Sequence, residues 1–334
     1  MPHSSQRPPL RRRSLLIAAT GTAAGLALPG YAQAQDYPSR PINFICPWPA
    51  GGTADASMRA ICQAAARVLK QPIAVENKAG AAGMIGAQAL AQAKPDGYTV
   101  GQIPISVTRF HQLGSLKADP RNDFTYLART SGQTFGIAVL PQSPFKTLQE
   151  MVAHAKANPG KVSYAHAGIG GATHVGMEEF ALAAGIQLNA IAYKGGAAAL
   201  QDTLGGQVDM LADSSSWAPH VEGGKLRLLA IWGEERLPAF KDTPTLKDAG
   251  FKVVVDAPNG IGAPAGLEPA VEARLREAFR QAVLSDEFKA VATRIHAPVM
   301  YLDGPDYRKY VMGMYDHETR LIQRLKLKEL LAKG

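Results

Sequence analysis

The segment PWPAGGTAD at residues 47–55 combines residue types that bind an anion through the backbone. It separates an apolar, strand-like run at Ile42–Cys46 from a helical pattern that begins near Thr53. Its prolines restrict the path of the chain, and its glycines let the backbone approach a ligand closely. The helix start adds unpaired N–H groups and a partial positive charge. The segment therefore predicts an anion site without a charged side chain, and a carboxylate suits it.

Two later segments repeat this arrangement of strand, glycines and helix start. The residues that they add to the predicted site are Gly168, Gly170, Gly171, Thr173, Gly195, Gly196 and Ala197. A single glycine corner is most often an ordinary tight turn. Ligands of open α/β sheets, however, bind beyond the carboxyl ends of the strands. We therefore expect the three corners to converge on one ligand.

Side chains near the first corner have two possible roles each. Asp55 lies in the first helical turn, where its carboxylate either complements the helix dipole or contacts an amine or hydroxyl of the ligand. Trp48 either forms an apolar wall of the site or packs between the flanking prolines. Ser106 follows a strand and either donates to the ligand or faces solvent.

The second half of the chain adds three further candidates. His174 is expected to be a neutral, hydrogen-bonding imidazole, because a helix N-terminus disfavours the imidazolium. Asp213 follows a predicted strand and either caps the next helix or lines the site. Lys194 either neutralises an anion or is simply solvated.

Several classes of chemistry lack their sequence signals. The chain has no His-Glu-x-x-His motif and no zinc-type Cys/His grouping, so neither a metal nor a cofactor is predicted. It also lacks the phosphate-binding loop, the dinucleotide fingerprint and the nucleophile elbow. Ser214, Ser215 and Ser216 lie near Asp213 and His220, which keeps a hydrolase as an alternative from another class.

Strand and helix patterns alternate along the chain and predict parallel sheets with helices on both faces. Two α/β series are followed by a helical block, and residues 257–266 are predicted as a loop. We expect an α/β, two-lobe fold whose hinge is crossed near residues 130–140 and 250–260. One lobe would comprise residues 35–135 and 256–334, and the other 136–255.

The N-terminus has the pattern of an export signal. Arg11, Arg12 and Arg13 precede a short apolar stretch and an A-x-A cleavage site at residues 32–34, so residues 1–34 are predicted to be removed. Either the general secretory or the twin-arginine route fits. The signal contains four arginines, and their loss lowers the formal net charge of +8 to +4. No dense basic run remains, so nucleic-acid binding is not predicted.

The two cysteines, Cys46 and Cys62, lie on a predicted strand and on the apolar face of the following helix. In an exported protein they either form a disulfide or remain two small buried thiols. Their spacing does not decide between these states.

Most of the mature chain carries motifs that resemble one family, the substrate-binding proteins of tripartite tricarboxylate transporters, also called the Bug family. Besides the 47–55 segment, the motifs are Tyr37-Pro38-Ser39-Arg40-Pro41-Ile42, Val75-Glu76-Asn77-Lys78-Ala79-Gly80, Pro95-Asp96-Gly97-Tyr98-Thr99, Tyr193-Lys194-Gly195-Gly196, Leu204-Gly205-Gly206-Gln207-Val208-Asp209 and Ala263-Pro264-Ala265-Gly266. The resemblance implies a periplasmic binding protein that closes like a Venus flytrap. It also implies backbone contacts from Ala50, Gly51 and Gly52 to a ligand carboxylate.

The function expected from this resemblance is non-enzymatic capture of a small carboxylate for a membrane permease, by a monomer. The ligand would be a dicarboxylate or tricarboxylate, an acidic amino acid or an aromatic acid. A partner of a membrane sensor kinase is a second alternative. Trp48, Gly171, Ala198 and the pair Pro258-Asn259 depart from the residues usual in the family, which leaves the ligand open.

Overall fold

Two β-sheets with helices packed on them organise the computed structural model, which describes residues 37–255 and 257–331. The predicted export signal lies outside the described residues. The strands are β1 (Ile42–Cys46), β2 (Ile73–Asn77), β3 (Thr99–Pro104), β4 (Phe124–Ser131), β5 (Gly136–Val139), β6 (Ser163–His166), β7 (Asn189–Ala192), β8 (Met210–Asp213), β9 (Arg227–Ile231), β10 (Asn259–Pro264) and β11 (Val299–Asp303). The helices are α1 (Thr53–Leu69), α2 (Met84–Ala91), α3 (Val107–Gln112), α4 (Leu148–Ala157), α5 (Ala172–Ala184), α6 (Gly196–Leu204), α7 (Ala218–Glu222), α8 (Pro269–Leu284), α9 (Asp286–Arg294), α10 (Gly304–Arg324) and α11 (Leu327–Leu331).

The two sheets define two α/β lobes, as the sequence predicts. Within the described residues, the first sheet has the strand order β11-β4-β10-β3-β1-β2 and the second has β7-β6-β8-β5-β9. The chain passes from the first sheet to the second between β4 and β5, and it returns between β9 and β10. The prediction of a hinge that is crossed twice is therefore confirmed.

The prediction of parallel sheets is confirmed for part of each sheet and wrong for the rest. β1 pairs in parallel with β2 and β3, and β6 pairs in parallel with β7 and β8. β10 runs antiparallel to both β3 and β4, and β5 runs antiparallel to both β8 and β9. The hinge explains the difference, because a strand that enters a sheet directly from the other lobe has no crossover helix to reverse its direction.

The sequence predicts a loop over residues 257–266, but this segment contains the buried strand β10. Its glycines are required by close packing rather than by a turn. A side chain at Gly260 would overlap the ring of Tyr307, and one at Gly262 would lie 2.7 Å from the backbone oxygen of Thr125. Gly260 and Gly262 therefore let this segment pair closely with neighbours that leave no room for side chains at those positions.

The first lobe is held together by α1 and α8 packed on the sheet. Met58 and Ile61 of α1 lie in one buried cluster with Leu275 and Phe279 of α8. Cys46 and Cys62 are buried free thiols in the same cluster, so the thiol alternative holds. Burial raises the pKa of the Cys46 thiol to about 11, which keeps it protonated at neutral pH.

The predicted helical block after the second α/β series contains α8, α9, α10 and α11. Lys326, whose φ is 49°, lies between α10 and α11. No helix among the described residues is long and apolar enough to span a membrane.

We expect the change Gly260→Ala to destabilise the protein by about 1–3 kcal/mol, the usual cost of an overpacked core. The added methyl group must displace the buried ring of Tyr307. The control is Gly313→Ala, because Gly313 lies in α10 with open space around its Cα. That change should stabilise the helix by about 0.5–1 kcal/mol. Urea unfolding measures both, and equal stabilities would contradict the packing argument.

Candidate functional site

A cleft runs between the two lobes where the carboxyl ends of several strands meet. It lies beyond the ends of β1, β3, β6 and β8, as expected for an open α/β sheet. Its lining residues are Trp48, Pro49, Gly52, Thr53, Ala54, Ala82, Gln102, Pro104, Ile105, Ser106, Gln133, Phe135, Ala167, Gly171, Ala172, Thr173, Gly196, Ala197, Asp213, Ser214, Ala257 and Pro258.

The N-termini of three helices open onto this cleft. Helices α1, α5 and α6 have Gly52, Gly171 and Gly195 as their N-cap residues, and no capping side chain accepts a hydrogen bond from their N–H groups. The first N–H groups of a helix also lack an intrahelical acceptor. The cleft is therefore surrounded by backbone donors and by the positive ends of three helix dipoles.

The described residues that line the cleft include no lysine, arginine or histidine. Asp213 is their only ionisable side chain, and it is 3% exposed. Burial raises the pKa of Asp213 to about 6, against the hydrogen bonds from Ser216 and Ser214 that lower it. Its carboxylate packs against Gly196 at the start of α6. Asp213 thus lines the cleft and also accepts a hydrogen bond from the following turn.

The structure brings nine of the predicted site residues into the cleft lining. These are Trp48, Gly52, Thr53, Ser106, Gly171, Thr173, Gly196, Ala197 and Asp213. Seven predicted residues lie beside the cleft without lining it, namely Ala50, Gly51, Asp55, Gly168, Gly170, His174 and Gly195.

Asp55 and Gly51 bond to each other. The Gly51 N–H donates to the Asp55 carboxylate over 3.0 Å, and Arg59 and Asn77 also donate to that carboxylate. Asp55 is buried, and these hydrogen bonds hold the 47–55 segment in place. Of its two predicted roles, the structure supports the local one, and the Gly51 N–H is already bonded.

Gly168 and Gly195 lie where the lobes touch. A Cβ atom on Gly168 would lie 3.2 Å from the Cβ of Ala82, and one on Gly195 would lie 2.6 Å from the Cγ of Pro49. Gly195 also has a φ of 113°, which favours glycine. Thr53 and Ser214 complete this contact through their hydroxyl oxygens, which are 2.5 Å apart.

Gly170 connects a histidine of its own lobe to an arginine of the other. Its N–H donates to Nδ1 of His174 over 3.0 Å, and its carbonyl accepts from Nη1 of Arg109 over 2.7 Å. Arg109 is held in turn by Glu318, with two 2.7 Å hydrogen bonds in the protein interior. This buried ion pair therefore ties α3 and α10 to the loop before α5.

His174 stacks on His166, with ring centroids 4.5 Å apart. Burial, followed by the Arg109 guanidinium, lowers the pKa of His174 to about 4. Burial, followed by His174, lowers the pKa of His166 to about 3. His174 is thus neutral and accepts a hydrogen bond, in agreement with the expectation for it.

Sequence reasoning missed an amide network in the cleft. Gln102 and Gln133 both line the cleft, and both donate to Oδ1 of Asn259, over 2.7 and 3.1 Å. The available signal was the polar Gln102 inside an otherwise apolar strand pattern. The sequence marks Asn259 only as a residue that differs from those usual in the family.

Residues 57–327 match the sequence pattern of the tripartite tricarboxylate transporter family receptor, TctC. The chain belongs to this receptor family. The resemblance identified from the motifs is thereby confirmed. Within the described ranges, no group of three His, Cys, Asp or Glu side chains is placed to hold a metal ion.

The receptor is similar to several known proteins over nearly its whole length. The UPF0065 protein in gbd 5'region of Cupriavidus necator is 39% identical over 312 residues, covering 93% of this chain and 95% of that protein. The solved periplasmic binding protein BugD has a TM-score of 0.83 at 27% identity, covering 87% of this chain and 99% of that one. MatC from Rhodopseudomonas palustris with bound malate has a TM-score of 0.76 at 27% identity, covering 87% and 100%. The two-lobe periplasmic binding protein fold is therefore confirmed.

The three serines on which the hydrolase alternative depends make hydrogen bonds to groups other than a histidine. Ser214 pairs with Thr53 of the other lobe, Ser215 donates to the carbonyl of Ile295, and Ser216 donates to Asp213. Each hydroxyl thus has a partner other than His220. The arrangement contains no nucleophile paired with a histidine base.

The buried histidines predict that acid destabilises the receptor between pH 6.5 and about 4. In that window the unfolded chain binds protons on both imidazoles while the folded chain does not. The contribution of the two histidines to the free energy of unfolding is therefore fully present above pH 6.5. It falls as the pH decreases, by up to ~1.4 kcal/mol per pH unit for each histidine.

Urea unfolding as a function of pH measures this slope. The double variant His166→Gln/His174→Gln should flatten it, whereas His317→Gln, on the exposed side of α10, should leave it unchanged. A double variant that keeps the wild-type slope would show that other groups cause the acid sensitivity.

Proposed function

We propose that the receptor captures a small carboxylate in the cleft between its lobes and presents it to the membrane permease of a tripartite tricarboxylate transporter. The observation that carries this proposal is the convergence of three helix N-termini, free of capping side chains, on one cleft. Such N-termini bind anions through backbone N–H groups and the helix dipole. The related MatC binds malate, a small carboxylate, which agrees with this ligand class.

The donors are sufficient for a carboxylate without any basic side chain. A hydrogen bond to a charged group contributes roughly 1.5–3 kcal/mol, so a few of them offset the desolvation of the ligand. Trp48 lines the cleft, and its Nε1 is buried with no hydrogen-bond partner among the described residues. We assign it, with the hydroxyls of Thr53 and Ser106, to the donors that meet the ligand.

Binding is coupled to closure of the lobes. We assign residues 35–135 and 256–334 to one lobe and 136–255 to the other, with a double hinge between them. The two hinge segments touch, since the Thr130 hydroxyl donates to the Asn259 carbonyl and the Gln133 amide donates to Oδ1 of Asn259, each over 3.1 Å. A ligand that contacts both lobes favours the closed state by its higher affinity for that state.

The proposed site of action is the periplasm, reached after removal of residues 1–34 by either export route. The permease would recognise the closed form, in which the two lobes meet around the ligand. We assign no catalytic step to the cleft, because its donors bind an anion but no lining side chain is paired as nucleophile and base.

We expect carboxylates to raise the melting temperature of the mature chain. At a ligand concentration of 100 times Kd, binding contributes ~2.7 kcal/mol of stability. A panel of monocarboxylates, dicarboxylates and tricarboxylates tests this by differential scanning fluorimetry. The primary amides of the same acids are the controls and should give no shift. A broad panel without a single stabilising acid would refute the proposal.

The change Gly52→Asp should abolish carboxylate binding and preserve the fold. Gly52 has a φ of −79°, and a Cβ there would lie 3.8 Å from the nearest atom, the carbonyl oxygen of Pro49, so a side chain fits. Aspartate is also a favourable N-cap for α1. Its negative charge at the site should weaken binding by at least about 100-fold.

The matched control is Gly52→Asn, which has the same size and capping ability but no charge. Calorimetric titration with the best acid of the panel should show a much smaller loss for this variant. Equal losses in the two variants would mean that the ligand's negative charge is bound elsewhere.

A further inference from the structure

Gln102 presents a buried hydrogen-bond acceptor to the cleft. Its side chain is 1% exposed, lines the cleft and donates through Nε2 to Asn259. Its carbonyl oxygen Oε1 is buried and has no partner. A buried acceptor without a donor is costly, so a group that supplies a donor at this position gains affinity.

The orientation of the Gln102 amide is set by the network behind it. Oδ1 of Asn259 accepts from both Gln102 and Gln133, and Nδ2 of Asn259 donates to the hydroxyl of Ser131 over 3.1 Å. Asn259 and Ser131 are both buried. One hydrogen of the Gln102 NH₂ group is bonded to Asn259, so the atom of this amide that has no partner at all is its carbonyl oxygen.

Charge in the cleft argues against a second carboxylate as the group that meets Gln102. Each helix N-terminus is equivalent to roughly half a positive charge. The N-terminus of α6 already faces the carboxylate of Asp213. The N-termini of α1 and α5 then balance about one negative charge, which a single ligand carboxylate supplies.

We propose that the receptor selects a carboxylate which also carries a neutral or cationic hydrogen-bond donor, a hydroxyl or an ammonium group, that the Gln102 carbonyl accepts. Asp213 is a second acceptor in the same cleft. This inference rests on the proposed function, because it assumes that the helix N-termini hold the ligand carboxylate. It makes Gln102 a residue that determines specificity.

Titration calorimetry with matched acids tests the inference. The probes are butanoate, 2-hydroxybutanoate and 2-aminobutanoate, together with succinate, malate and aspartate. Within the better-binding series, a hydroxyl or ammonium member should bind at least about tenfold more tightly than the member without a donor. The comparison between hydroxyl and ammonium members then shows which donor is used.

The variant Gln102→Met keeps the length of the side chain and removes the acceptor. It should reduce the tenfold preference for the donor-bearing acid over the donor-free acid to nearly equal affinity. Gln112→Met is the matched control, because Gln112 bonds to the carbonyls of Thr108 and Tyr315 outside the cleft. This control should keep the wild-type preference.

The outcomes separate this inference from the proposed function. Equal affinities within each series of the wild-type receptor would overturn the role of Gln102 and leave carboxylate capture intact. A preference for the donor-bearing acid that survives in Gln102→Met would also overturn the role of Gln102. The same holds if succinate binds most tightly and Gln102→Met weakens its binding, since the amide would then present its NH₂ group to the ligand. Failure of all six acids and of the wider panel to bind would overturn the proposed function itself.

Discussion

Unpaired backbone N–H groups at helix starts are the constraint on which this receptor's site depends. Helices α1, α5 and α6 begin at glycine N-caps that offer no side-chain oxygen, so their first donors require another acceptor. The strand–turn–helix geometry places all three at one cleft. The sheets, the hinge and the glycines are the means by which these donors face one another.

The same corners also decide how closely the lobes approach. Gly195 accommodates the ring of Pro49, and Gly168 accommodates Ala82, so these two glycines let the lobes come into contact. The loop before α5 does both, because Gly171 lines the cleft while the Gly170 carbonyl accepts from Arg109. Ligand binding and lobe contact therefore share a loop, which gives closure a direct physical link to the site.

The cleft contains hydrogen-bond acceptors as well as donors. The donors include backbone groups and Trp48, whereas the acceptors include the Gln102 carbonyl and the Asp213 carboxylate. A cleft with both kinds of group discriminates among acids, since each unmatched polar group costs free energy when it is buried. This distribution separates the general ability to hold a carboxylate from the choice of a particular one.

The sequence by itself determined the local elements, the three glycine corners, the two lobes and the family, because periodicity and turn chemistry act between near neighbours in the chain. Only the tertiary structure decided that residues 259–264 form a central strand, since Tyr307 and Thr125 lie far away in sequence. It also decided which donors remain for a ligand. Gln102 and Gln133 both donate to Asn259 of β10, and the hydroxyl of Thr53 pairs with that of Ser214 in the other lobe. Hydrogen-bond partners depend on which segments meet in space, and no local pattern specifies that.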